Sequence, residues 1–467
     1  MTYSVVDNKT GVKFSKSAEI TVRSPYLVGW LILSEKDGKS ALSFIKMRTV
    51  KRDDIDAEGN PVERDSIIFY DVEKYFRPDL GTEPKGLMEH IGVEYDFGFS
   101  DAVYDEIVVM QGKDNWVELN GNTMEHEVYT KEEFGNDLPE NFEPVEAAMT
   151  FSSKLIRDKN GFIYLHRKVL ANDYHAGSYI SVPLANSTKF KGLYQAHKLY
   201  NRNYYVIPAC TEDNSLVGIW DAGRYNEYSL DGTPSAITEN SSRNDGNIVE
   251  LTENTDEKHF KQMSKNVIAM IPATCGRDNR FDVTDSYIVP KWLALMEEKG
   301  TYSMRYFGLE GDTSGGIVTV TDFKEVPVDA RVFAAGYVDM AVFQHKKYVV
   351  FASGKEIWYY PYGGSTSNAV LLKKFDQNIV SISSHDVEEY TRDGDIYHNG
   401  HLGVALENGD FFIYEVVEED KVLDNITVNQ LYPSPETEDK DNNNFGKIVD
   451  TLYKFGNASG VFTYTFQ

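Results

Sequence analysis

The chain has 467 residues, with 47 lysines and arginines against 73 aspartates and glutamates, for a formal net charge of −26. Such a surface repels phosphate backbones and anionic headgroups within a Debye length, which argues against nucleic-acid binding and against a basic membrane-docking face. No stretch approaches the ~18 consecutive apolar residues of a membrane-spanning helix, and "MTYSVVDNKTGVKF" has neither the basic nor the apolar region of a secretory signal.

In chain order, "YSVVDNKTGVKFSKSAEITV" reads as two alternating strands around an Asn8-Lys9-Thr10-Gly11 turn. A lone hairpin is marginal in water, so residues 1–24 are expected to be the last strands of a β-sandwich. From residue 25 onward one pattern recurs: an apolar run, a tight polar turn, and a second run of strong β-formers. It appears at 29–47, 105–119, 153–169, 204–223, 303–323, 348–362 and 402–416. Asn160-Gly161 and Asn408-Gly409 supply the positive φ that hairpin turns need. Flanking segments complete four-stranded units: 338–345 and 369–375 around the sixth hairpin, 379–387 and 426–432 around the seventh. The first hairpin has no preceding inner strand, while 446–455 is a spare one at the far end. The expectation is therefore an all-β, seven-bladed β-propeller over 25–467, closed by its C-terminal strand, which removes exposed sheet edges. One helix is expected over 289–300, between Pro290 and Gly300. Polar stretches 231–259 and 434–444 read as surface loops.

Chemistry is harder to find. Nucleotide-binding, α/β-hydrolase and zincin motifs are absent from the sequence. The stretch 53–65 sets Asp54, Asp56, Glu58 and Asn60 at alternate positions around Gly59, a partial calcium-loop pattern, but Asp65 stands where a bidentate glutamate belongs. A solvated acidic hairpin is the simpler reading. His398 and His401 have a spacing that two metal ligands use, yet lack a third fixed ligand, and are read as surface histidines. Trp220-Asp221 alone does not support WD repeats. Cys210 and Cys275 cannot build a cysteine metal cage and fit either one disulfide or two buried thiols. In "YVVFASGKEIWYYPYGG" (348–364), strand alternation sends Ile357, Tyr359 and Pro361 to one face and Trp358, Tyr360 and Tyr362 to the other. Both faces are expected in the core, with Tyr362 at the strand end the ring best placed for ligand. No catalytic or metal-binding residue and no cofactor is nominated, and the ligand-binding residues are left unassigned.

The stretches "SPYLVGWLILSEKDGKSALSFI" (24–45), "DEIVVMQGKDNWVELNGNTM" (105–124) and "FGKIVDTLYKF" (445–455) resemble the PKD-like family lipoproteins found beside SusC/SusD-type, TonB-dependent nutrient-uptake systems of Gram-negative gut bacteria. "YSVVDNKTGVKF" is similar to the last strands of the PKD or Ig-like domain that precedes the propeller region in that family. The resemblance implies a lipid-anchored protein on the extracellular face of the outer membrane, with a SusC/SusD-type transporter as partner and an oligosaccharide or oligopeptide as ligand. Its motifs are structural, so the expected function is non-catalytic substrate capture. A surface glycoside hydrolase or lyase and a protein-interaction scaffold are the alternatives.

Overall fold

The computed structural model describes residues 2–17, 25–55, 59–94, 102–112, 116–150, 153–167, 178–185, 188–195, 205–221, 246–274, 291–311, 316–343, 348–362, 369–392, 395–418, 426–435 and 443–454. It is all-β and propeller-like; among the described residues the helical content is one 3-10 turn, Glu132–Phe134.

β1 (Thr2–Val6) and β2 (Lys13–Ser17) pair as an exposed antiparallel ribbon, the hairpin expected around Gly11. Two strands alone do not define a sandwich. The remaining strands form successive antiparallel meanders. Meander one contains β3 (Gly29–Lys36), β4 (Lys39–Ile55) and β5 (Pro61–Thr82). Meander two is β6 (Pro84–Glu94), β7 (Ala102–Gln111), β8 (Val117–Asn120) and β9 (His126–Tyr129). Meander three has β10 (Pro144–Met149), β11 (Ser153–Asp158) and β12 (Ile163–Arg167); Tyr179 and Ile180 run beside β12 through a bridge to His166 and a bond to the Leu165 carbonyl. Meander four is β13 (Phe190–Leu193), β14 (Tyr205–Thr211), β15 (Leu216–Asp221) and β16 (Ile248–Thr252). Meander five is β17 (Asn266–Thr274), β18 (Lys291–Glu298), β19 (Thr301–Gly311) and β20 (Val318–Val328). Meander six is β21 (Tyr337–Phe343), β22 (Tyr348–Ser353), β23 (Glu356–Pro361) and β24 (Val370–Lys374). Meander seven is β25 (Ile379–Arg392), β26 (Asp395–Leu406), β27 (Phe411–Glu418) and β28 (Ile426–Tyr432). The last strand, β29 (Lys447–Lys454), returns to pair antiparallel with β3 from Lys447↔Glu35 to Lys454↔Gly29, as the spare C-terminal strand requires.

Three features depart from the sequence expectation. Residues 291–298 are strand β18, not helix: Trp292, Leu293, Ala294, Leu295 and Met296 are all buried, so both faces are covered and packing overrides the helix preference of Leu, Ala, Met and Glu. The stop at Gly300 is a hairpin turn, with Lys299 at φ 52° and Gly300 at φ 79°. The polar stretch 231–259 contains β16, which pairs antiparallel with β15 and parallel with β20, fusing meanders four and five into one eight-stranded sheet. The calcium-loop pattern lies on the β4–β5 hairpin, whose ladder pairs Asp54 with Val62 and Asp65 with Lys51; residues 56–58 and the side chains of Asp54 and Asp65 lie outside the described residues.

Apolar cores fill the seams between meanders. Trp30, Ile32 and Ile45 pack against Ala405, Phe411 and Ile413 where meander one meets seven, and Leu31, Leu33 and Phe44 against Ile107, Val109 and Leu119 where it meets two. At about 1.5–3 kcal/mol per large side chain fully buried, each seam contributes more than any single polar contact across it. In the hairpin of 348–362, Ile357 and Tyr359 join the core toward meander seven, while Tyr360 and Tyr362 join the core toward meander five. The expected split of faces holds.

Candidate functional site

The first strand of each meander carries a bulge, and the residue at the bulge follows a pattern. Register shifts fall just before Gly86, Glu146, Gly192, Ala269, Asp339, Ser381 and Asp450. Where that residue has an acceptor oxygen, it takes a backbone N–H one residue past the bulge of the next meander. Asp339 Oδ2 accepts from Ile382 N at 2.9 Å, Ser381 Oγ from Thr451 N at 3.2 Å, Asp450 Oδ2 from Leu87 N at 2.7 Å, and Glu146 Oε2 from Leu193 N at 2.7 Å. A bulge leaves backbone donors unpaired, and these side chains satisfy them across the seams. Burial pushes the Asp339 carboxyl up to about 7, with the nearby Asp450 adding to the shift against its backbone hydrogen bonds. Asp450 is raised by burial too. The sequence carries the signal: Val145-Glu146, Val338-Asp339, Val380-Ser381 and Val449-Asp450 repeat at matching places in their strands.

A groove of about 720 Å³ opens beside meander five, between residues 258–265 and the β19–β20 ladder. In that ladder Arg305 stands opposite Glu325, and alternation puts Ser303 on the same face. Arg305 grips Glu325 Oε2 through Nε at 2.9 Å and Nη2 at 2.7 Å, and its Nη1 donates to the His259 carbonyl at 2.7 Å. Its guanidinium lies over the Phe260 ring, 5.1 Å from the centroid. Ser303 and Lys265 also donate to Glu325. Burial raises the Glu325 carboxyl, but these donors and the Arg305 charge outweigh it and hold it down to about 2.

The loop is held in place from meander four. Gln262 N donates to Ser215 Oγ at 2.9 Å, Leu216 N to the Phe260 carbonyl at 2.7 Å, and Asn214 Nδ2 to the Lys265 carbonyl at 3.0 Å. Phe260, buried, packs edge-on to Phe307 at 5.0 Å. The wall is thus preformed, with Lys258, His259 and Lys265 in the lining and Tyr302 and Phe323 supplying apolar surface.

A second charged constellation is closed. On one face of meander two, His90, Glu106 and Glu118 meet Lys154 and His166 of meander three, with Glu133 of the 3-10 turn between. All six are buried. Lys154 Nζ lies 2.9 Å from both Glu118 oxygens and 2.8 Å from Glu133 Oε1. His90 Nε2 is 3.1 Å from Glu118 Oε2 and 3.4 Å from Glu106 Oε2, and His166 Nε2 is 3.4 Å from Glu133 Oε1. Burial works against both ions, yet their mutual attraction holds the Glu118 carboxyl well below and the Lys154 ammonium above the usual ranges.

The residues singled out from sequence lie elsewhere. Tyr362 is buried, donates to the Ala273 carbonyl at 3.2 Å and packs on Tyr306, so it serves the seam and not a ligand. His401 is not a surface residue: it is buried in β26 against Trp30 and Phe69, and burial lowers it to about 4. The side chain of His398 lies outside the described residues. Trp220 is buried and fills the space over Gly311, where a Cβ would sit 1.8 Å from its ring. Cys210 is buried in β14 and burial pushes its thiol up to about 11, which makes it a poor nucleophile; Cys275 lies outside the described residues.

No family model and no curated protein matches the chain. Solved structures similar to it include the WD40 domain of SCAP from fission yeast, at 10% identity and TM-score 0.35 over 74% of this chain and 72% of that one. An arginine-to-alanine triple mutant of AofleA from Arthrobotrys oligospora is similar at 10% identity and TM-score 0.33, over 75% and 90%. A chain of the mitotic checkpoint complex is similar at 11% identity and TM-score 0.31, over 85% and 91%. The fold description above rests on strand order and pairing.

Proposed function

We propose that residues 25–467 form a closed seven-bladed propeller that acts as a non-catalytic binding module, with the groove beside Arg305 and Glu325 as its ligand site. Ring closure is supported by the β29–β3 pairing and by the apolar seam joining meanders seven and one. The groove carries the functional reading. In a chain of charge −26 its lining holds Lys258, His259, Lys265, Arg305 and the carboxylate of Glu325, with Glu253 and Glu257 on the two nitrogens of His259, next to aromatic surface and the hydroxyls of Thr301 and Ser303. That combination suits a polar oligomer with acidic groups, an oligosaccharide or an oligopeptide.

The resemblance of 24–45, 105–124 and 445–455 to PKD-like family lipoproteins extends the proposal to a cell-surface role. The protein, lipid-anchored as that family's members are, holds substrate for a SusC/SusD-type outer-membrane importer. An enzyme would need carboxylates directed into a cavity. The pair Asp339 and Asp450 is instead engaged with backbone N–H groups of neighbouring strands and of the next residue on its own strand, which favours binding over hydrolysis.

Calorimetric titration with panels of neutral and acidic oligosaccharides and peptides tests the binding role. Saturable binding without turnover supports it, and hydrolysis of a bound oligomer contradicts it. Purification from native outer membranes tests the second part: the chain is expected with a SusC/SusD-type pair, and its consistent absence from such complexes would count against the importer role.

A further inference from the structure

The closed constellation between meanders two and three has a charge problem that its own residues do not solve as permanent ions. Glu106, Glu118 and Glu133 bring three carboxylates to a buried seam, and Lys154 brings one ammonium. Burying that excess as net charge is among the costliest things a fold can do, so protons or a bound cation must answer it.

The geometry points to a cation. His90 Nε2 hydrogen-bonds Glu118 Oε2 at 3.1 Å and lies 3.4 Å from Glu106 Oε2, and the three atoms lie within 4.8 Å of one another. Donors held about 2.1 Å from one metal ion are separated by roughly 3.0 Å at octahedral and roughly 3.4 Å at tetrahedral angles. The 3.1 Å and 3.4 Å separations lie within this range. The three donors also come from adjacent strands of one sheet: His90 pairs across the ladder with Glu106, and Glu118 follows on the next strand. A rigid ladder therefore sets their convergence, as a preorganised site requires. The surroundings complete it. Lys154 holds Glu118 and passes to Glu133, which faces His166, so a ligating carboxylate is fixed in turn by a buried donor.

We propose that His90, Glu106 and Glu118 bind one divalent first-row transition-metal ion, of which zinc is the test case, and that the ion ties together three adjacent strands of meander two at its seam with meander three. The nitrogen donor argues against calcium or magnesium, which take oxygen ligands. Enclosure in the seam makes the role structural. This goes against the sequence reading, which nominated no metal ligand, because the three residues are scattered over 29 positions with no motif spacing.

The test uses the full chain, stripped with chelator and then titrated with zinc or cobalt(II). One equivalent of metal, a visible cobalt(II) spectrum and a melting temperature raised by metal are expected. His90→Gln and Glu106→Gln should each weaken binding at least tenfold. Wild-type protein that binds no metal, or variants that bind as tightly as wild type, would overturn the proposal and leave protons as the counter-charge. Should the variants fail to fold, zinc-edge X-ray absorption on wild type decides. One imidazole with oxygen ligands supports the site; several imidazoles, or no bound zinc, overturns it.

Discussion

Two constellations built from the same residue types, the buried one around Lys154 and the groove around Arg305, differ in what surrounds them. Lys154 and Glu118 are 1% and 0% exposed, whereas Lys265 beside Glu325 is 33% exposed. In the seam every charge must be answered by another protein group or by a bound ion, because water cannot do it. In the groove Arg305 and Lys265 both answer Glu325, and Lys265, a third exposed, and the exposed Lys258 keep contact with water. The same chemistry is thus structural in one place and available to a ligand in the other.

Lys154→Met breaks the buried side of the comparison most severely. It strands Glu118 and Glu133, and denaturant unfolding should show a loss of about 3–5 kcal/mol. A loss below 1 kcal/mol would mean that the seam admits water. Glu325→Gln is next, at about 2–3 kcal/mol, because Arg305 loses its charged partner while 5% exposed. Lys265→Ala, at the mouth, should cost under about 1 kcal/mol in the same assay.

Between the two lies Asp339, a seam carboxyl that accepts from two backbone donors, Ile382 N and Met340 N. Its value of about 7 stands above an unfolded value near 3.8, so the native state holds the extra proton between those limits. Stability from this group falls as pH rises from about 4 to 7, by about 2 kcal/mol once its partial exposure is allowed for. His401 opposes it: lowered to about 4, its contribution is complete above 6.5 and is lost as pH falls toward 4. Glu325 acts lower still, losing its contribution as pH falls from about 4.5 through 2. Asp339→Asn should therefore remove the decline in stability between pH 6.5 and 7, read from melting curves. An unchanged profile would place the titration elsewhere.

Hairpins were legible because alternation and turn dipeptides are local: Asn408-Gly409 and Asp37-Gly38 mark turns whatever the rest of the chain does. The spare strand at 446–455 was legible by elimination. What failed needed the third dimension. "KWLALMEE" has helix-forming residues throughout and became strand because both its faces are covered. Tyr362 sits at a strand end, yet a neighbouring meander reaches over it. Glu106 and Lys154 each precede an apolar run and Glu118 sits between two apolar residues, a pattern that marks no site until the strands of two meanders are stacked. The Val-Asp, Val-Ser and Val-Glu repeat at the bulges was visible, but a pair of residues recurring at irregular spacing gains meaning only when the strands are aligned.

The binding role is tested most directly by calorimetry on wild type and on the Lys258→Ala/Lys265→Ala variant, across the same panel of oligosaccharides and peptides. At least one acidic oligomer should bind wild type saturably and the variant at least tenfold more weakly, with the fold unchanged. If no oligomer binds, or the best binder is indifferent to the two lysines, the groove is not the ligand site.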